Sequence, residues 1–158
     1  MHIEGSCHCG AVRYSVTAHE PVPFMRCYCS ICRKTAGTGG FAINLGADHR
    51  TLEVHGRHHL AVYHAKMPDG TRSQGGRYFC KHCGTAMWLY DPRWPDLVHP
   101  HAGAVDTPLP TPPHSTHGML AYKPEWVGVD AARQDQRFDE LPDTSLADWH
   151  RAQGLTSP

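Results

Sequence analysis

Seven cysteines fall in three tight clusters, and that pattern constrains this chain of 158 residues more than any other feature. Cys7 and Cys9 stand in GSCHCG, Cys27, Cys29 and Cys32 in MRCYCSICRKTAG, and Cys80 and Cys83 in FCKHCG. An odd number of thiols in such clusters makes a poor disulfide framework. Metal suits it better. Zinc takes sulfur tetrahedrally at roughly 2.3 Å, so paired ligands must bring their sulfurs within about 4 Å of each other, and C-x-C and C-x-x-C spacings do this. In a C-x-x-C turn the backbone curls around the ion, and a following glycine such as Gly84 takes the positive φ that aims amides at the thiolates. In C-x-C the two side chains leave one face of an extended segment.

Seven thiols divide naturally as four plus three. Four thiolates close a structural zinc site, whereas three leave a coordination position for water or substrate. Spacing does not say which cluster joins which. Cys29, Cys32, Cys80 and Cys83 also make a zinc-ribbon pattern that leaves Cys7, Cys9 and Cys27 over. In a third reading all seven only hold the fold, and one of His8, His58, His59, His82, His99 and His101 completes the second site.

The rest of the chain reads as β structure cut by turns. GAVRYSVTA alternates Val12, Tyr14 and Val16 with small or polar residues, and GFAINLG does the same with Phe41, Ile43 and Leu45; this is the period of half-buried strands. TLEVHG, LAVYHA, RYFC, AMWLYD and MLAYKPEWVGV are further strand candidates, separated by turns such as MPDG. Helix is expected in two places only. One is SICRKTAG, ended by Gly37; the other is SLADWHRAQG, opened by Ser145 and Asp148 in capping-box spacing and closed by Gly154. Pro108, Pro110, Pro112 and Pro113 in TPLPTPPHSTHG predict an extended surface loop.

Size and charge bound what remains. One domain over residues 1–158 is expected at this length. Fifteen Lys and Arg balance fifteen Asp and Glu, which argues against nucleic acid or an acidic membrane as partner. No apolar run reaches the length of about 20 residues that spans a bilayer, and MHIEGSCHCG has no apolar leader core. A cytoplasmic protein is therefore expected, in a compartment that keeps thiols reduced and free for metal.

GSCHCGAVRY, CYCSICRKTAGTGG and RYFCKHCGT follow one another in that order, and HGMLAYKPEWVGVD comes after them. With these motifs the chain resembles the glutathione-dependent formaldehyde-activating enzyme and centromere protein V family over most of residues 3–140, the tail 141–158 lying outside. The resemblance implies an all-β fold of the β-tent type with two zinc ions, to which the predicted short C-terminal helix is added. Residue by residue, it implies a structural zinc on Cys7, Cys9, Cys80 and Cys83 and a catalytic zinc on Cys27, Cys29 and Cys32. It further implies a zinc-dependent carbon-sulfur lyase or synthase that forms or cleaves thiol-aldehyde adducts of the S-hydroxymethylglutathione type. Its partners would be glutathione or another small thiol and an aldehyde such as formaldehyde.

Three thiolates on one zinc give a formal charge of minus one, a weak Lewis acid that suits a soft sulfur ligand and would deprotonate it. Arg33 and Lys34, directly after Cys32, are expected to offset that charge and to attract the carboxylates of a glutathione-like thiol. Tyr28, Phe41 and Trp88 are candidate pocket walls. His58, His59 and His82 are chemically suited to donate a proton, but among fourteen histidines the pattern selects none. Two other functions fit the same residues. One is a zinc-hydroxide hydrolase of an imine or thioester-like substrate, active without added thiol; the other is a non-catalytic zinc-stabilised binding module. A zinc deaminase is set aside, because Phe79 stands where a proline is expected before CKHC and five cysteines would have no role.

Overall fold

The computed structural model describes residues 1–129, 132 and 134–158; Asp130, the last residue of the HGMLAYKPEWVGVD stretch, lies outside them. In chain order the elements are β1 (His2–Ser6), β2 (Arg13–Thr17), β3 (Met25–Cys27), α1 (Ser30–Ala36), β4 (Ala42–Ile43), β5 (Ala47–Asp48), β6 (Glu53–His55) and β7 (Leu60–Lys66). They continue with β8 (Arg72–Cys80), β9 (Ala86–Tyr90), β10 (Leu97–Pro100), β11 (Thr116–Gly118), β12 (Gln136–Arg137) and α2 (Leu146–Gln153). The fold is thus mostly β, with a short helix at the C-terminal end, as expected. Among the described residues no helix is long and apolar enough to cross a membrane.

The strands form three small sheets among the described residues: β1-β2-β6, β5-β10-β9-β8-β7 and β12-β11-β3-β4. The first two are antiparallel throughout, while in the third β11 runs parallel to both β3 and β12. Alternation along β2 buries Tyr14 and Val16 in one cluster with Ile3 of β1, Leu45 of the β4–β5 link, and Met87, Trp88 and Val98 of the five-stranded sheet. Each buried aliphatic side chain here contributes about 1.5–3 kcal/mol. Trp88 sits among aromatic rings, Tyr14 edge-on at 5.5 Å and Tyr78 stacked at 5.4 Å. Cys7 and Cys80 belong to the same core, so one sulfur group is seated at the edge of the main apolar cluster.

Both predicted helices form. In α1 Cys29 is the N-cap, and Gly37 ends the helix because the chain doubles back there: a Cβ at 37 would lie 2.0 Å from the carbonyl oxygen of Phe41. In α2 the Ser145 side chain caps the Asp148 amide at 3.1 Å and Gly154 closes the helix at φ +65°. That helix packs Trp149 flat on Phe24 beside Val22, a second, smaller apolar cluster. His150 fastens the same joint, its Nδ1–H donating to the Leu146 carbonyl at 2.8 Å while Nε2 accepts from the Val22 amide at 3.0 Å.

Two sequence readings fail here. MLAYKPEWVGV is not a strand: Met119 takes a left-handed φ of +64°, Leu120–Tyr122 form a single 3-10 turn, and Trp126 is 72% exposed. Left-handed backbone ends extended pairing, and Pro124 removes a ladder donor. The end of the proline-rich loop also departs from expectation, since Thr116–Gly118 is the fully buried strand β11.

Candidate metal centres

The thiols gather as four and three, and all seven are free. The first group takes Cys7 and Cys9 from the turn after β1, and Cys80 and Cys83 from the end of β8 and the turn that follows it. The two turns are built alike. Gly10 N–H donates to the Cys7 carbonyl and Gly84 N–H to the Cys80 carbonyl, both at 2.9 Å, and both glycines have φ +75°. A glycine after the second cysteine is what lets each segment curl back over its sulfurs, as the sequence leads one to expect at Gly84.

Cys7 Sγ lies 3.5 Å from Cys9 Sγ, which lies 3.8 Å from Cys80 Sγ, and all four sulfurs are within 4.8 Å of one another. A tetrahedral ion with bonds of about 2.3 Å holds its sulfurs roughly 3.8 Å apart, so this set fits zinc. Burial pushes the Cys7 thiol up, but the Val12 amide, at 3.2 Å, and the sulfurs of Cys9 and Cys80 bring it below its ordinary value. Cys83 is lowered to about 5, chiefly by the Thr85 hydroxyl at 3.2 Å.

The second group joins Cys27 at the end of β3, Cys29 at the N-cap of α1 and Cys32 in its first turn. Their sulfurs lie within 4.8 Å of one another, and no histidine, cysteine or carboxylate among the described residues supplies a fourth ligand atom. Cys29 Sγ accepts the Cys32 amide at 3.3 Å. Bonds from the Cys27 and Cys32 sulfurs, aided by amides, hold the Cys29 thiol well below the usual range, while the bond to Cys29 pushes Cys27 up. Thiols placed this way shed their protons when a cation arrives. The donor set suits a soft or borderline metal such as zinc.

Arginine side chains are buried in this part of the fold, and Arg77 acts on the trio. Arg26 Nε, Arg33 Nε and Arg77 Nη1 are buried without a hydrogen-bond partner among the described residues. Arg26 lies over the Phe41 ring at 5.0 Å, and Arg77 is close enough to pull the Cys32 thiol down and to act on His101. Beside α1 opens a cavity of about 370 Å³ whose lining includes Lys34, Thr35, Thr38, Thr85 and His101. His101 is 6% exposed; its Nδ1–H donates to Asn44 Oδ1 at 2.8 Å, and burial lowers its pKa to about 4. The ring is thus neutral near pH 7, with Nε2 unprotonated.

The residues singled out from sequence separate clearly. Lys34 is exposed on the cavity wall, and Arg33 is half-buried off it. Tyr28 and Phe41 stand together with ring centroids 5.4 Å apart. Trp88 is no pocket wall: β9 lies inside its sheet, and the indole is spent on the main core. His58, His59 and His82 lie side by side with tilted rings next to the Cys80–Cys83 turn, with His59 Nδ1 and His82 Nε2 2.7 Å apart. Neither sulfur group takes a histidine, and the zinc-ribbon grouping of Cys29 and Cys32 with Cys80 and Cys83 does not form. Sequence spacing marks none of Arg77, Asn44 and His117, because strand pairing brings them in from distant segments, and it offers His101 only as a possible metal ligand, a place it does not take.

Residues 2–119 match the family model described as glutathione-dependent formaldehyde-activating enzyme. A Halomonas elongata protein, provisionally named as such an enzyme, is 56% identical over 155 residues, 98% of each chain. Among solved structures, the crystal structure of a Rhodobacter sphaeroides protein matches with a TM-score of 0.53 at 27% identity, covering 68% of this chain and 91% of that one. The family match covers residues 2–119, and the Halomonas similarity covers 98% of the chain.

Proposed function

The chain belongs to the glutathione-dependent formaldehyde-activating enzyme family, and on that premise we propose that it is a zinc-dependent carbon-sulfur lyase or synthase acting at Cys27, Cys29 and Cys32. The reaction is the joining or parting of a thiol and an aldehyde, as between glutathione and formaldehyde. The observation that carries this reading is a converged set of three thiols with no fourth protein ligand among the described residues. Cys7, Cys9, Cys80 and Cys83 then hold a second, structural zinc. The free thiols suit a reducing, cytoplasmic setting.

When bound, zinc at the trio supplies a soft Lewis acid with one free position that lowers the pKa of an incoming thiol. The chain's own residues do the rest. Lys34 receives a carboxylate of a peptide-like thiol on the cavity wall, and Thr35, Thr38 and Thr85 offer hydroxyls along it. Arg33 and Arg77 offset the negative charge of the thiolates. His101, its tautomer fixed by Asn44, presents Nε2 as an acceptor for a substrate N–H or O–H. In the forward direction the S–H bond breaks, the sulfur-carbon bond forms, and the carbonyl oxygen ends as a hydroxyl carrying the proton.

Turnover of glutathione with formaldehyde, measured beside zinc content, tests the reading. Cys29→Ser is expected to lower kcat/KM by about 10³-fold, and Lys34→Glu to raise KM about tenfold with kcat little changed. Wild-type turnover in Cys29→Ser removes the proposed site.

A further inference from the structure

Tyr28 stands between two of the three cysteines and is turned away from them. Along an extended segment, residues two apart share a face and the one between projects to the other. Tyr28 is 1% exposed, and its O–H donates to His117 Nδ1 at 2.8 Å. His117, fully buried in β11, passes its Nε2–H to Asp135 Oδ2 at 3.2 Å. Asp135 is anchored in turn by the amides of Ser115, at 2.8 Å, and Ala132, at 3.2 Å. The main chain is tied to the same strand: Tyr28 N–H donates to the Gly118 carbonyl at 3.0 Å, Cys27 pairs with Gly118, and Arg26 pairs with His117.

Tyr28 is therefore held from both backbone and side chain, and the chain of groups is satisfied from end to end, the condition under which a buried polar network orders its surroundings. A phenylalanine would fill nearly the same space with no polar atom to satisfy, so what the hydroxyl adds is orientation. Resting on the reading of Cys27, Cys29 and Cys32 as a zinc site, we propose that Asp135, His117 and Tyr28 form a positioning chain that fixes the turn between Cys27 and Cys29 and thereby sets the trio's metal affinity. None of the three contacts substrate; His117 and Asp135 act through Tyr28. Groups that orient metal ligands in this way are worth about tenfold to hundredfold in affinity.

The test is zinc release to a chelator from the holoprotein, with cobalt(II) absorption of the substituted protein as a second readout, in wild type, Tyr28→Phe, His117→Leu and His117→Asn. Wild type is expected to hold two zinc ions. In Tyr28→Phe and His117→Leu one of them should leave about tenfold to hundredfold more readily and its cobalt bands should shift, while the other is unchanged. His117→Asn keeps an acceptor near the Nδ1 position and should restore most of the affinity. If His117→Leu does not fold, Tyr28→Phe, which removes one oxygen atom, still decides. Unchanged release of both ions from Tyr28→Phe overturns the inference and leaves the functional reading standing; a zinc content that Cys29→Ser leaves at the wild-type value overturns both. Equal weakening of the two ions, with a lowered Tm, also overturns it, because it marks general loosening of the fold.

Discussion

The two sulfur groups use one ligand atom in opposite surroundings. The four-cysteine group is made of two alike turns, each ended by a left-handed glycine, with Cys9 and Cys83 open to solvent and exposed histidines alongside. The three-cysteine group lies where β3, α1, β4 and β11 meet, with Cys27 and Cys32 each 7% exposed and buried arginine nitrogens nearby. The first satisfies its own coordination and joins two sheets. The second stops one ligand short among the described residues, and Arg77 is close enough to act on it. On the proposed reading, ligand number and setting, and not ligand chemistry, separate a fastening from a reaction site.

The sharpest way to break that contrast is to remove one thiol from each group. Cys80→Ser should cost on the order of 5 kcal/mol in the zinc-loaded protein, since a metal that ties β1 to β8 carries folding free energy. Cys29→Ser should cost about 1 kcal/mol, because its loss opens a surface that other strand pairings already hold. Thermal or denaturant unfolding of the two variants measures both. Equal losses would mean that the two groups do the same structural job.

The imidazoles sort in the same way and give a pH test. His101 titrates near 4 in the fold because burial, then Arg77 and His99, disfavour its charge. Its folded pKa is below the ordinary value of 6.5, so the unfolded chain binds more protons between those values. The stabilisation is present above about pH 6.5 and is lost as pH falls towards 4, by up to about 3 kcal/mol. Burial also lowers His99 and His150, which steepens the same slope. Subtracting the acid-unfolding curve of His101→Asn from that of wild type should isolate the effect.

What could be read in advance divides along the same line. The turns of the four-cysteine group are local objects: C-x-x-C followed by glycine predicts the curl, and Gly84 has the φ that such a curl demands. Both helices were equally legible from Ser145, Gly154 and Gly37. The environment of the trio was not, because it is assembled by pairing between distant segments. β11 comes from a stretch whose prolines read as surface loop, and only its parallel pairing with β3 delivers His117 to Tyr28. β1 was missed because Ile3 is its one large apolar residue, flanked by His2, Glu4 and Gly5. Trp88 misled for the opposite reason: an aromatic at strand spacing looks the same whether it lines a pocket or fills a core.

The smallest expected effects come from the backbone, and they run in opposite directions at the two groups. A Cβ at Gly84 would meet nothing within 4 Å, so Gly84→Ala isolates the cost of φ +75°, about 1 kcal/mol, and should weaken zinc retention at the four-cysteine group only. Met119 is the converse case. It is the non-glycine residue with positive φ among the described residues, and its side chain packs on the cluster of Cys27, Cys32 and Ala42. Met119→Gly relieves about 1 kcal/mol of backbone strain but removes that apolar cover, so its stability should change by less than about 1 kcal/mol either way. Uncovering the sulfurs should nonetheless raise the rate at which a thiol-alkylating reagent reaches the metal-free trio. If that rate stays at the wild-type value, the strain at Met119 has no bearing on the site, and the contrast narrows to ligand number and charge.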